Sequence, residues 1–313
     1  MLAVVGPTAS GKSGLAVELC KKYGGEVISC DSMQIYKKMN IGTAKPTTEE
    51  MQNIRHHLID FVEPWQDYSV SDYVIDAERC VNDIERRGKL PVFCGGTGLY
   101  IDSFISGIKF TEIENNPDVR KRLEDEFLKD GIDGIFKRLT FVDPEIALSV
   151  DINNTKRVIR ALEVYETTGV PMSVWNRRSK DNAHKKDCLI IGLDYENRQS
   201  LYDRIDLRVD LMLDMGIVEE AKLFYDEGLL NTKTASQAIA YKEFVPYFED
   251  DDCLENCIET LKRNSRRYAK RQLTWFRRNK DIKWIFRDKK NFEQLFFEAC
   301  SIVDEYLSEV NNE

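Results

Sequence analysis

Short apolar runs alternate with segments of helical periodicity over the first hundred residues. Four of these runs predict buried strands: 2–5, 27–30, 58–61 and 91–94. After the first run, Leu15, Leu19 and Tyr23 recur at the four-residue spacing of a helix face. Strands that alternate with helices in this way predict a parallel sheet with helices on both faces.

The pattern changes after about residue 110. Residues 117–186 combine helical spacing with many charges and contain no convincing buried strand, whereas a strand pattern returns at 189–193. We therefore predict a core formed by residues 1–112 and 187–313, interrupted by a helical insertion domain of residues 113–186. Two further elements are predicted near the C-terminus, a strand at 282–286 and an amphipathic helix at 291–311.

Local signals mark several helix ends. Ser69 followed by Asp72 predicts a capping box at the start of a helix that Gly88 ends. Asn154 or Thr155 is expected to cap a helix of the insertion.

The composition is that of a folded protein, with 42% hydrophobic and 32% charged residues among 313. No run reaches the roughly 18 apolar residues that a membrane span needs, so no membrane partner is predicted. The eight cysteines are scattered, and Cys253 with Cys257 lacks the second Cys or His pair of a zinc site. We expect reduced thiols in a cytoplasmic monomer.

The net charge of −9 argues against a general polyanion-binding protein, but the charge is uneven. Residues 262–287 contain eleven lysines and arginines against one acidic residue. Four of them can share one helical face: Arg263, Arg267, Lys270 and Arg271. Such a face can follow phosphates while aromatic residues stack on bases. The alternative is a solvated helix that buries Tyr268 and Trp275 in the core.

A complete P-loop motif follows the first predicted strand. It consists of Gly6, Pro7, Thr8, Ala9, Ser10, Gly11, Lys12 and Ser13. Its glycines let backbone amides face an anion, Lys12 neutralises phosphate oxygens, and Ser13 is a candidate ligand of Mg²⁺. The motif predicts linked phosphates and leaves open whether they belong to a nucleoside triphosphate or a prenyl diphosphate.

Asp31 and Thr97 follow two other predicted strands. The carboxyl ends of parallel strands face one ligand crevice, where Asp31 can act as a general base. Gln34 can pair with an adenine edge through both groups of its amide. Two alternatives stay open, namely that Asp31 is only a helix cap and that residues 95–98 are only a tight turn.

The chain resembles the bacterial tRNA dimethylallyltransferase (tRNA isopentenyltransferase) family over nearly its whole length. The resemblance is carried by blocks at 6–13, 31–36, 40–46, 56–60, 95–100, 156–165, 201–205 with 208–209, and 241–243. It implies an α/β, P-loop NTPase-like fold with a helical insertion. Ala240 departs from the pattern, since similar sequences usually have glycine there.

The resemblance implies transfer of a dimethylallyl group from dimethylallyl diphosphate to the N6 amine of the adenosine 3′-adjacent to the tRNA anticodon, with Mg²⁺ as cofactor. It also implies that Asp31 takes the N6 proton and that Thr97 hydrogen-bonds the bridging oxygen of the leaving diphosphate. The P-loop with Arg204 would hold that diphosphate, although Arg208 is a close alternative. The implied contacts to the tRNA anticodon stem-loop are Asp31, Ser32, Met33, Gln34, Thr97, Arg120, Lys156, Arg157, Val158, Ile159 and Arg160.

Three other functions fit parts of the sequence. An adenylate isopentenyltransferase, which prenylates free nucleotides, resembles the first half of the chain. Its small acceptor does not require the basic helical second half. A P-loop small-molecule kinase and a non-catalytic RNA-binding NTPase are disfavoured because the blocks at Asp31 and Thr97 accompany the P-loop.

Overall fold

The computed structural model describes residues 1–108, 116–181 and 184–310. The chain divides into two compact units, a core unit of Met1–Ile105 with Asp187–Glu313 and a helical unit of Ser106–Lys186. The predicted boundary between residues 112 and 113 lies outside the described residues. The assignment of residues 113–186 to a domain that contacts tRNA stays a prediction.

A six-stranded parallel sheet lies at the centre of the core unit. Its strands are β1 Leu2–Val5, β2 Gly25–Ser29, β3 His56–His57, β4 Leu90–Gly95, β5 Leu189–Asp194 and β6 Lys283–Phe286. They lie side by side in the order β3-β2-β4-β1-β5-β6. The chain first builds the sheet to one side of β1 and later to the other, and ligands of such sheets bind at the carboxyl edge beside the reversal.

The α-helices of the described residues divide between the two units. In chain order they are α1 Lys12–Tyr23, α2 Thr48–Met51, α3 Val70–Arg86, α4 Gly98–Ile105, α5 Pro117–Val142, α6 Pro144–Ser149, α7 Thr155–Thr168, α8 Met172–Asp181, α9 Arg198–Asp214, α10 Ile217–Asp226, α11 Val245–Phe248, α12 Leu254–Phe276 and α13 Phe292–Val310. Helices α5 to α8 belong to the helical unit. Across the described ranges, no helix is both long enough and apolar enough to cross a lipid bilayer.

Helices cover both faces of the sheet, as predicted. Ala3 and Val5 of β1 enter one hydrophobic cluster, while Leu2 and Val4 enter the other. The cluster with Ala3 includes side chains of α3, α4, α10 and α12, and the cluster with Leu2 includes those of α1 and α13. Strands buried on two faces read as near-continuous apolar runs, which makes β1 and β4 recognisable from the sequence.

The local signals predict the helix starts correctly, whereas the apolar pattern predicts the third strand in the wrong place. Ser69 and Asp72 form the predicted capping box, with backbone-to-side-chain bonds of 2.8 and 3.3 Å. Asn154, not Thr155, caps α7 by accepting from the backbone of Arg157. The strand predicted at 58–61 is wrong, because β3 ends at His57 and the φ of both Leu58 and Asp60 is 56°.

The helical unit has a hydrophobic core of its own. Leu123 and Leu139 of α5 pack in one cluster with Val158 and Leu162 of α7. Gly131 interrupts α5 with a φ of 76°, a backbone conformation that glycine adopts without steric strain.

A buried carboxylate stabilises the β2 side of the sheet. Glu26 is 2% exposed and accepts hydrogen bonds from both terminal nitrogens of Arg87, from Lys89 Nζ at 2.8 Å and from His57 Nε2 at 2.7 Å. The hydrogen bonds from Arg87 are the largest cause of a pKa of Glu26 far below its ordinary value, and burial opposes them. Glu26 therefore stays ionised inside the fold.

We expect the Glu26→Gln variant to lose about 3 kcal/mol of unfolding free energy at pH 7, because it leaves buried donors without a charged acceptor. The folded-state pKa of Glu26 is depressed, so its stabilisation is present above the ordinary pKa of 4.5 and is lost as the pH falls below that value. In denaturant titrations from pH 7 to pH 3, the difference in unfolding free energy between Glu26→Gln and wild type should become smaller. The control variant Glu85→Gln, at an exposed position of α3, should stay within about 0.5 kcal/mol of the wild-type unfolding free energy. A difference between Glu26→Gln and wild type that does not change with pH would contradict the assignment.

Candidate active site

A cavity of about 430 Å³ opens at the carboxyl edge of the sheet, within the core unit. Its volume is within the usual range for small-molecule sites. The polar side chains that line it include Thr8, Lys12, Ser13, Asp31, Ser32, Gln34, Arg208, Lys242, Tyr268, Arg271 and Gln272. Apolar side chains complete its walls, among them Val27, Ile59, Ile205, Val209, Met212, Ile239 and Leu261. The cavity therefore suits a ligand with one anionic end and one apolar end.

The P-loop has the geometry of an anion cradle. Gly6, Ala9 and Gly11 have φ values of 147°, 61° and 84°. A Cβ on Gly6 would lie 2.5 Å from the Leu193 carbonyl oxygen, so the loop requires glycine there. Lys12 Nζ donates to the Pro7 carbonyl at 3.0 Å. Burial lowers the pKa of Lys12 while the nearby Asp31 carboxylate raises it, and a bound anion would favour the charged ammonium.

Gln272 of α12 joins two of the loops at the sheet edge. Its side-chain oxygen accepts from the Thr8 backbone N–H at 2.8 Å, and its Nε2 donates to the Gly96 carbonyl at 3.1 Å. The side chain is 5% exposed. A Cβ on Gly96 would lie 2.0 Å from Nε2. The absence of a side chain at Gly96 thus makes room for the amide that connects the P-loop to β4.

Three arginines near the P-loop have different partners. Arg204 Nε donates to the Ala9 carbonyl at 3.1 Å, and Arg287 Nη1 donates to the Ser10 carbonyl at 2.7 Å. Arg208 instead lines the cavity, where burial lowers its pKa and the charge of Asp31 raises it. The structure therefore places Arg208 among the cavity walls and Arg204 against the P-loop backbone.

Asp31 combines the two roles that the sequence left open. Its Oδ1 accepts from the backbone N–H groups of Met33 at 2.9 Å and Gln34 at 3.4 Å, which is the geometry of a cap. The same half-buried carboxylate lines the cavity. Capping fixes the orientation of the carboxylate and leaves Oδ2 as an additional acceptor.

Thr97 is hydrogen-bonded to Ser32, the residue that follows Asp31 in the chain. Its Oγ1 accepts from the Ser32 backbone N–H at 3.0 Å and donates to Ser32 Oγ at 3.3 Å. Burial and then the charge of Asp31 raise the pKa of the neighbouring Tyr268, so its phenol stays protonated. A Cβ on Gly95 would lie 2.3 Å from the Cys30 carbonyl oxygen, so the turn before Thr97 also brings two backbones close together.

Gln34 lines the cavity, but both hydrogens of its amide nitrogen have partners within the chain. Nε2 donates to the carbonyls of Thr43 at 3.2 Å and Ala44 at 3.0 Å. Pairing with an adenine through both amide groups would require one of these hydrogens. In this conformation the amide oxygen alone can accept from a base.

Ala240, the departure from the family pattern, forms part of the cavity wall. Its φ is 81°, in the left-handed region, which costs a residue with a Cβ about 1 kcal/mol or more. The Ala240 N–H donates to Glu243 Oε2 at 2.9 Å, and Asn264 Nδ2 of α12 donates to Glu243 Oε1 at 3.0 Å. These bonds to the buried carboxylate of Glu243 support the strained backbone.

The residues predicted to bind tRNA from the insertion fall into two groups. Lys156 and Arg157 are exposed on α7, whereas Val158 and Ile159 are 0% and 3% exposed in the core of the helical unit. The predicted contact of those two side chains with tRNA is therefore not compatible with their burial. Arg120 and Arg160 each form an ion pair with Glu163, a carboxylate that is fully buried, at 3.3 and 2.9 Å.

The basic face predicted on α12 is present. All four of its members are exposed: Arg263, Arg267, Lys270 and Arg271. Tyr268 is not a core residue, because it lines the cavity, while Trp275 packs partly buried and donates from Nε1 to Asp102 at 2.6 Å. The helix therefore has an exposed basic face and contributes several side chains to the cavity wall.

Sequence reasoning missed Gln272 and the role of Tyr268 at the cavity. Gln272 had a detectable signal, since it falls on the buried face of α12 in step with Ala269, Leu273 and Phe276. A polar side chain on a buried face usually has a specific hydrogen-bonding partner.

Comparisons with known proteins agree with one another. The family model described as IPP transferase matches residues 34–279. A tRNA dimethylallyltransferase of Thermoanaerobacter sp. is 46% identical over 297 residues, covering 94% of each chain. The crystal structure of the full-length tRNA isopentenylpyrophosphate transferase of Bacillus halodurans has a TM-score of 0.74 at 41% identity, covering 100% of this chain and 99% of that one. The structure of a eukaryotic dimethylallyltransferase acting on tRNA has a TM-score of 0.86 at 30% identity, covering 99% of this chain and 79% of that one.

We expect Gln272→Ala to lower the free energy of unfolding by about 1–3 kcal/mol, because it leaves the Thr8 N–H and the Gly96 carbonyl without partners. Its affinity for inorganic diphosphate should also fall, since the P-loop loses its connection to β4. Denaturant titration and calorimetry measure the two effects. Gln199→Ala, which removes an exposed amide bonded to Asp203, serves as control and should change stability by no more than about 0.5 kcal/mol. If Gln272→Ala has the wild-type unfolding free energy and diphosphate affinity, the hydrogen bonds of Gln272 to the P-loop and to Gly96 are dispensable.

Proposed function

The chain belongs to the tRNA dimethylallyltransferase family, and we propose that it transfers a dimethylallyl group from dimethylallyl diphosphate to the N6 amine of the adenosine 3′-adjacent to the tRNA anticodon. The observation that carries this proposal is one cavity that contains a P-loop lysine, a capped carboxylate and an apolar wall. Lys12, Asp31 and Val209 represent these three features. A prenyl diphosphate has the matching anionic and apolar ends.

The diphosphate is held by the P-loop amides with Lys12 and Arg208. Two cations and several N–H groups neutralise the charge that builds up on the leaving group, which is the main electrostatic requirement of this reaction. We assign this diphosphate contact to Arg208 rather than to Arg204, the residue that the family resemblance implies, because Arg208 lines the cavity and Arg204 donates to the Ala9 carbonyl.

Ser13 is the residue that would hold Mg²⁺, and its place among the cavity walls beside Lys12 fits that assignment. The described residues contain no group of three or more His, Cys, Asp or Glu side chains arranged for a metal. In P-loop proteins the Ser or Thr hydroxyl binds Mg²⁺, and substrate phosphates and waters supply further oxygen ligands. When bound, the ion would neutralise charge on the diphosphate.

Asp31 serves as the general base. The N6 nitrogen forms a bond to C1 of the dimethylallyl group while the bond between C1 and the diphosphate oxygen breaks. The N6 proton passes to Asp31, whose Oδ1 is held by the N–H groups of Met33 and Gln34. A carboxylate fixed in this way meets the amine without reorientation.

Thr97 and Gln34 position the two substrates. The Thr97 hydroxyl accepts from the Ser32 N–H, so its own hydrogen can turn from Ser32 Oγ to the bridging oxygen of the diphosphate. Gln34 offers its amide oxygen to the base. Ser32 and Met33 line the same wall and would contact the target nucleotide.

We propose that tRNA binds to cations of each unit. In the helical unit these are the exposed Lys156 and Arg157 and the half-buried Arg120 and Arg160, and in the core unit they are the basic face of α12. The target adenosine must leave its stack to reach Asp31. The lining residues of the cavity belong to the core unit, and we propose that the protein acts as a monomer.

The direct test is transfer of labelled dimethylallyl diphosphate to an unmodified anticodon stem-loop, with AMP as a competing acceptor. We expect label on the stem-loop and an Asp31→Asn variant whose kcat is lower by about 10²–10⁴-fold, the usual contribution of a general base. The KM for the prenyl donor should stay near wild type. Asp67→Asn, on the surface ion pair with Lys233, is the matched control. Label on AMP alone would instead assign the chain to nucleotide prenylation.

Kinetics of single variants can distinguish whether Arg208 or Arg204 binds the diphosphate. Arg208→Ala should raise the KM for dimethylallyl diphosphate by about 10-fold or more, because a charge-assisted contact contributes roughly 1.5–3 kcal/mol. Arg204→Ala should have the smaller effect, since Arg204 donates to the Ala9 carbonyl and is not among the residues that line the cavity. Steady-state kinetics with the donor as varied substrate decides between them. A larger effect of Arg204→Ala would restore the assignment to Arg204.

A further inference from the structure

A loop of residues 40–44 closes part of the cavity and is held by an internal carboxylate. Glu220 of α10 accepts from three consecutive backbone N–H groups, those of Asn40 at 3.1 Å, Ile41 at 2.9 Å and Gly42 at 3.0 Å. Consecutive amides that converge in this way form an anion-binding nest. Here the anion is a side chain of the protein itself.

Tyr241 provides a fourth hydrogen-bond donor to Glu220. Its hydroxyl donates to Glu220 Oε1 at 2.8 Å. A Cβ on Gly42 would lie 2.7 Å from the Tyr241 ring, so the ring occupies the space where a side chain would stand. The loop is therefore fixed by hydrogen bonds on one side and by an aromatic ring on the other.

The loop in turn supports two of the cavity's polar side chains. The Ala44 carbonyl accepts from Gln34 Nε2 at 3.0 Å and from Arg208 Nη2 at 3.3 Å, and the Thr43 carbonyl accepts from Gln34 at 3.2 Å. Gly42, Thr43 and Ala44 all line the cavity, whereas Glu220 is not among its walls. Arg208 reaches into the cavity with one nitrogen anchored on this loop.

We propose that Glu220 is a positioning residue for the transfer reaction, acting through the 40–44 loop to hold Arg208 and Gln34 in the cavity. The proposal rests on the proposed function for its kinetic readout. It extends that function to a residue that touches neither substrate. Loss of the carboxylate would free the loop, and Arg208 would lose the carbonyl that directs its guanidinium toward the diphosphate.

The charge of Glu220 is essential to this role. Two N–H groups share one carboxylate oxygen, and the third N–H shares the other oxygen with the Tyr241 hydroxyl. In Glu220→Gln one of those oxygens becomes an NH₂ group that faces donors, so at least one donor loses its acceptor. Bonds to a charged acceptor are about twice as strong as neutral ones, so the isosteric variant loses most of the anchoring.

The experiment compares wild type, Glu220→Gln, Glu220→Ala and the control Glu219→Gln, which changes the exposed neighbour on the same helix. Affinity for inorganic diphosphate is measured by calorimetry without tRNA, so this readout does not depend on transfer activity. Steady-state kinetics then give kcat and the KM for dimethylallyl diphosphate, and thermal melts report stability. Sodium formate is added to Glu220→Ala, with sodium chloride at equal ionic strength as reference.

We expect Glu220→Gln to bind diphosphate about 10- to 100-fold more weakly and to show a similar rise in the donor KM. Formate should restore part of the affinity of Glu220→Ala by occupying the empty nest, and Glu219→Gln should match wild type. Unchanged diphosphate affinity in Glu220→Gln would overturn the proposal, whatever happens to the melting temperature. The proposal would also be overturned if Glu220→Ala lost its affinity for diphosphate and formate did not restore it. That result would indicate a general loss of structure, which a small anion does not repair. Absence of transfer in wild type with intact diphosphate binding would count against the proposed function alone.

Discussion

The geometry of the cavity depends above all on the buried amide of Gln272, which is bonded at once to the P-loop and to the turn after β4. Both loops lie at the carboxyl edge of the sheet, and α12 packs across them. Gly98 shows the same constraint, because a Cβ there would lie 2.1 Å from the Trp275 ring. The glycines before and after Thr97 therefore serve the packing of α12, and Thr97 keeps its place beside Asp31 as a result.

Much of the core unit could be predicted from the sequence because its strands are buried on both faces and its loops carry specific chemistry. Four-residue apolar runs followed by Gly-rich or acidic loops predicted β1, β2 and β4. The rule that parallel strands end at one edge then predicted that Lys12 and Asp31 would meet, and they line one cavity. These predictions needed only local patterns and topology.

The remaining features depend on contacts between distant parts of the chain. Nothing near His57 indicates that the backbone turns at Leu58 with a positive φ, so the apolar run predicts a third strand that starts two residues too late. The burial of Val158 follows from the packing of α7 on α5, which a run of mixed basic and apolar residues does not reveal. Arg204 and Arg208 lie one helical turn apart on α9, and only the fold separates a side chain against the P-loop from one inside the cavity.

The position of β1 in the sheet has a consequence for how the chain reaches its native state. β1 pairs with β4 on one side and with β5 on the other, and the whole helical unit lies between those two strands in sequence. On a ribosome, one edge of β1 therefore stays unpaired while residues 106–186 are synthesised, although that continuous segment can already fold through local contacts. An open strand edge is a template for association between nascent chains. Pairing of β1 is completed when Leu189–Asp194 emerges, and the unpaired edge then lies on β5 until Lys283–Phe286 pairs with it. A chain truncated before residue 283 would therefore expose a strand edge that β6 covers in the complete sheet.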